Sequence, residues 1–97
     1  RLGVFETNIS RSWFTFPIIL PKGIDRGEVM LKLTELGIES ANYFPAIHTQ
    51  RRYRNCVKVS GSLHVSEDLA KRVLCLPFWP GVEDHVSEIL DSVSLFL

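Results

Sequence analysis

Apolar positions along this chain follow two rhythms, one near two residues and one near 3.6, and each change of rhythm marks a new element. Residues 12–20, SWFTFPIIL, are aromatic or β-branched almost throughout, which suits a strand buried on much of both faces. Pro17 removes one ladder donor, so the strand is predicted to lie at a sheet edge or to bulge there. Pro21-Lys22-Gly23 then turns the chain. Asp25 followed by Glu28 resembles a capping box with aspartate in the Ser/Thr place. Beyond it Val29, Met30, Leu33 and Leu36 recur at helical spacing, with Arg26, Lys32 and Glu35 on the other side. Gly37 supplies a left-handed stop and Ile38 its hydrophobic follower.

From Ile38 a short second strand is predicted to run into Tyr43-Phe44-Pro45, where the proline biases Phe44 toward an extended backbone. A loop bearing His48 follows. Residues 50–55 carry Arg51, Arg52, Tyr53 and Arg54, and a brief alternation over residues 56–59 ends at Ser60-Gly61-Ser62, so mobility is expected to concentrate here. Val65, Leu69 and Val73, at i, i+4 and i+8, place a second helix from near Ser62 or Ser66, and residues 74–78 read as a buried strand. After the Pro80-Gly81 turn, Val82, Val86, Ile89, Leu90, Val93 and Phe96 or Leu97 trace one face of a C-terminal helix. Glu83 and Asp84 fall in its first turn, where the macrodipole favours them. Residues 1–11 have no clean period and read as a lead-in segment, with Val4, Phe5 and Ile9 as local packing.

The order strand, helix, strand, helix, strand, helix predicts an α+β, two-layer domain: a small mixed or antiparallel sheet of three to four strands with about three helices packed mainly on one face. Periodicity leaves parallel and mixed pairing open. With 97 residues the chain makes one small domain, residues 1–97, with a modest core. Apolar residues at 45% and charged at 23% exclude disordered and fibrous classes. Eleven acidic and eleven basic residues cancel, so no global field points to nucleic acid or to an anionic membrane. Cys56 and Cys75 lack the spacing of a disulfide framework or a metal site, which points to a reduced, cytoplasmic setting. No apolar run approaches the roughly 18 residues of a membrane span.

Candidate chemistry is local. His48 follows the Tyr-Phe-Pro turn with Thr49, Gln50 and Arg51 beside it, the polar mix of a ligand-contacting loop, although a histidine hydrogen-bonded at a domain surface fits the same residues. His64 and His85 are expected to be solvated and neutral. Arg51, Arg52 and Arg54 around Tyr53 match phosphate oxygens in type, and equally a solvated loop. There is no nucleophile elbow, no phosphate-cradling glycine loop and no metal-ligand cluster. Lys22, Lys32, Lys58 and Lys71 occupy a turn, a polar helix face, a short alternating segment and another helix, none of them a setting for a desolvated lysine. Taken as a whole enzyme, these residues hold no catalytic centre.

Two stretches nevertheless carry a likeness. Gly37, Ile38, Glu39, Tyr43, Phe44, Pro45, His48 and Gln50, continued by Tyr53 and Arg54, fall in register with a motif of the DegT/DnrJ/StrS family of pyridoxal-phosphate sugar aminotransferases. Glu67, Leu69, Ala70, Leu74, Leu76, Pro77 and Phe78 match that family's helix running into a Leu-Pro-aromatic strand. Ser12-Trp13-Phe14 and Gly23-Ile24-Asp25-Arg26 extend the likeness upstream, so that it covers nearly the whole chain. The chain thus resembles the C-terminal small domain of these enzymes, closest to the perosamine-synthetase-like branch.

The resemblance implies that this is the last domain of a longer protein whose own N-terminal domain holds pyridoxal phosphate and its Schiff-base lysine. An amine would pass from glutamate to a keto group on a nucleotide-linked sugar, for cell-surface or antibiotic sugars, within a homodimer. The fragment alone would bind no cofactor and catalyse nothing. His48, with Tyr43 and Phe44, would face the sugar, and Arg54 or its neighbours the nucleotide's phosphates. Ala41-Asn42 stands where many relatives have arginine-proline, and Arg51-Arg52 where they often have proline and an aromatic, which implies a divergent substrate or a pseudoenzyme. A non-catalytic ligand-binding or interaction domain of the same fold is one alternative. Another is a family sugar dehydratase, whose sign would be histidine in place of the cofactor lysine.

Overall fold

The computed structural model describes residue 10 and residues 12–97. The expected lead-in segment falls, apart from Ser10, outside them. Strand β1 (Phe16–Ile19) is followed by α1 (Arg26–Glu35), α2 (His64–Arg72), β2 (Val73–Leu76) and α3 (Val86–Ser94), with short 3₁₀ turns at Ile47–Thr49 and Val82–His85. The α+β class is as predicted; the sheet is narrower. β1 and β2 pair antiparallel, Phe16 opposite Leu76 and Pro17 opposite Cys75, and the expected strand after Ile38 survives only as a bridge between Ala41 and Cys75.

Competition for the outer edge of β2 explains this correction. In an antiparallel strand alternate residues turn their N–H and C=O to opposite neighbours. Leu74 and Leu76 face β1, leaving Val73, Cys75 and Pro77 for a third strand. The Val73 N–H already donates to the Leu69 carbonyl at the end of α2, and its carbonyl accepts from Arg26 at 3.1 Å. Pro77 has no N–H to offer. Only Cys75 remains, and it exchanges both bonds with Ala41, at 3.0 and 2.7 Å. The same alternation puts the Pro17 nitrogen on the free edge of β1, so the strand accommodates proline without a bulge.

The inward face of the sheet makes the core. Leu20, Leu74 and Leu76 pack with Val29 and Leu33 of α1, Ile38, and Ile89 and Val93 of α3. α1 is closed at both ends by its own residues. The Asp25 carboxylate accepts from the Glu28 N–H at 2.8 Å, while Glu28 itself turns to Lys32 at 3.5 Å, so only half of the predicted capping box forms. At the other end Gly37 adopts φ 79°, its N–H donates to Thr34 and that of Ile38 to Leu33, which is the paired-bond stop. Ile38 is thereby delivered into the core.

α2 begins within the predicted range, at His64. None of its residues is buried, and Val65 and Leu69 of its apolar stripe are exposed. Side chains hold it instead. Arg26 donates to the carbonyls of Ala70 and Val73, and Arg72 donates to the Leu20 carbonyl at 2.8 Å while pairing with Asp68. Hydrogen bonding from Arg72 holds the Asp68 carboxyl below the usual carboxylate range. The C-terminal helix is also shorter than predicted, its first turn being the 3₁₀ segment, with Val86 and Leu90 exposed and Ile89 and Val93 buried.

Candidate functional site

Because the stop at Gly37 is followed by a core anchor at Ile38 and a sheet bridge at Ala41, the chain leaves the sheet at a defined point and direction. Residues 43–50 then form a ledge between two clefts. The Tyr43 and Phe44 rings stack with centroids 5.0 Å apart. The ledge is braced internally: Gln50 donates its side-chain amide to the Pro45 carbonyl at 3.0 Å, and the Thr49 hydroxyl donates to Ala46 at 2.7 Å.

Tyr43 lines the larger cleft, about 870 Å³, together with Phe14, Phe78, Trp79 and His85. Its aromatic wall is paired with two carboxylates, Glu39 and Glu88, and no lysine or arginine among the described residues lines it. His85 Nδ1 lies 3.7 Å from the Glu88 carboxylate. Ser40, also on this wall, has a buried hydroxyl with no hydrogen-bond partner among the described residues. Nothing in the hydropathy pattern singles out Ser40, whose position depends on the bridge one residue later.

Phe44 and His48 line the smaller cleft, about 450 Å³, against Ser66, Leu69, Ala70 and Val73. This is where the apolar stripe of α2 is used: Leu69 and Val73 meet the ledge rather than the core. The His48 side chain is only 17% exposed, and its Nε2 lies 2.9 Å from Glu67 Oε1 in the first turn of α2. A charged residue 19 positions away is thus its partner.

Tyr43, Phe44 and His48 are therefore brought onto one ledge but toward two clefts. Arg54 lies on the exposed turn over residues 51–56 and lines neither, as do Arg51 and Arg52. His64 Nδ1 pairs with the Ser62 hydroxyl at 2.8 Å. Among the described residues no group of His, Cys, Asp and Glu could hold a metal ion, and no helix is long and apolar enough to cross a membrane. Compared with known protein families, residues 4–94 match the model of the DegT/DnrJ/EryC1/StrS aminotransferase family.

Proposed function

This chain belongs to the DegT/DnrJ/EryC1/StrS aminotransferase family, and on that premise we propose that it is the C-terminal small domain of a longer pyridoxal-phosphate-dependent aminotransferase. The family's enzymes depend on pyridoxal phosphate, which supplies the amine-transfer chemistry. The described residues of this chain do not fit that group. Its phosphate in the larger cleft would meet Glu39 and Glu88, with no lysine or arginine among the described residues to compensate. Lys22, Lys32, Lys58 and Lys71 are all exposed, where an amine keeps its proton and is a poor nucleophile. The cofactor and its lysine accordingly belong to the protein's other domain, and this chain contributes a substrate wall.

The observation that carries the reading is His48. A mostly hidden imidazole on a braced aromatic ledge, at the family's own motif, suits a contact to a sugar hydroxyl, with the Tyr43 and Phe44 rings beside it as apolar walls. A nucleotide-linked ketosugar is the substrate class this implies, glutamate the donor, and a perosamine-synthetase-like, cytoplasmic homodimer the setting. Arg54, exposed beside the ledge, would meet the nucleotide's phosphates from outside the clefts.

The experiment is His48→Ala in the full-length protein. Loss of one substrate hydrogen bond should lower kcat/KM for the nucleotide sugar by about 10- to 100-fold, with the absorbance of bound cofactor unchanged. An unaltered rate would return His48 to a surface role.

A further inference from the structure

We propose that Glu67 is the positioning residue for His48: it fixes which ring nitrogen the substrate meets. This rests on the reading of His48 as a substrate contact. The Nε2 atom of His48 is 2.9 Å from Glu67 Oε1. A carboxylate only accepts hydrogen bonds, so the neutral imidazole carries its proton on Nε2. Nδ1 is then left with its lone pair, an acceptor suited to a hydroxyl donor such as a sugar's.

The surrounding geometry makes Glu67 the determinant. Thr49 and Gln50 tie the ledge to itself through backbone carbonyls, which sets where the His48 backbone sits and leaves the ring's rotation and tautomer open. Apart from Ser66, the other described side chains on the smaller cleft are apolar. Glu67 also projects from the first turn of α2, where the macrodipole favours an anion. The anchor and the ring thus come from separate elements, joined by this hydrogen bond.

A double-mutant cycle on the full-length protein tests this, with glutamate and whichever nucleotide-linked ketosugar the wild type turns over. Glu67→Ala should lower kcat/KM about tenfold, the scale of losing one hydrogen bond, and Glu67→Gln, whose side-chain oxygen still accepts, should restore most of it. In a His48→Ala background Glu67→Ala should have no further effect. In ¹⁵N NMR of the full-length protein, labelled at histidine, the His48 ring should be a single Nε2–H tautomer, and a mixture in Glu67→Ala. Additive losses, or an Nε2–H tautomer that persists in Glu67→Ala, overturn the role of Glu67 and leave the reading of His48 standing. Unchanged turnover in His48→Ala overturns both.

Discussion

Arg26 stands on the polar side of α1 by helical spacing, yet its guanidinium reaches the Ala70 and Val73 carbonyls and closes the edge of β2 to a third strand. Arg26→Ala should therefore destabilise the chain by about 1–3 kcal/mol, the cost of leaving partly buried acceptors of a charged donor unpaired; urea unfolding midpoints read this directly. Asp68 offers a pH test. Its folded carboxyl titrates lower than in the unfolded chain, so its pairing with Arg72 stabilises the fold above the ordinary carboxylate range and is lost as pH falls through the lowered folded value. Wild type should be more stable than Asp68→Asn at neutral pH, with the gap closing on acidification. A gap that widens at low pH would contradict the assignment. Arg72 with Asp68 is an ordinary i, i+4 pair, but the tying role of either arginine was not legible in the sequence, because the Ala70, Val73 and Leu20 carbonyls they reach lie more than forty positions away. His48 was legible as a candidate, since its signal is the loop chemistry around it; Glu67 as its partner was not, since their meeting depends on how α2 docks.

Among the elements, α1 was read well because its determinants are local. Asp25 caps, Gly37 stops, and Val29 and Leu33 enter the core from the face that spacing assigned. The stripe on α2 has the same spacing and a different destination, Leu69 and Val73 lining the cleft beside the ledge while Arg26 and Arg72 tie the helix's C-terminal end. Periodicity reports that a helix has an apolar face; it does not report what covers it. The contrast is measurable. Leu33→Ala, at a fully buried site, should cost about 2–5 kcal/mol, whereas Leu69→Ala, 37% exposed, should cost under about 1 kcal/mol. Equal losses in denaturant unfolding would mean that α2 shares the core after all. The sheet was overcounted for a related reason: residues 38–44 have strand composition, but the partner edge offers them one residue.

For the whole molecule, nine buried hydrophobics face nineteen large exposed ones among the described residues. The radius of gyration, 15.4 Å, exceeds the roughly 12.5 Å of a compact chain this long. An open body with an aromatic, carboxylate-bearing cleft that no lysine or arginine lines among the described residues suits a domain that works against another. The isolated chain should accordingly show no absorbance of bound pyridoxal phosphate on incubation with the cofactor. The central claim, that this chain walls the substrate of an amine transfer whose cofactor is held elsewhere, meets its most direct test in the full-length protein, supplied with glutamate and a panel of nucleotide-linked ketosugars. The account predicts that one of them becomes an aminosugar as glutamate becomes 2-oxoglutarate. A dehydrated sugar formed without consumption of glutamate, or no turnover of any ketosugar by cofactor-loaded protein, would contradict it.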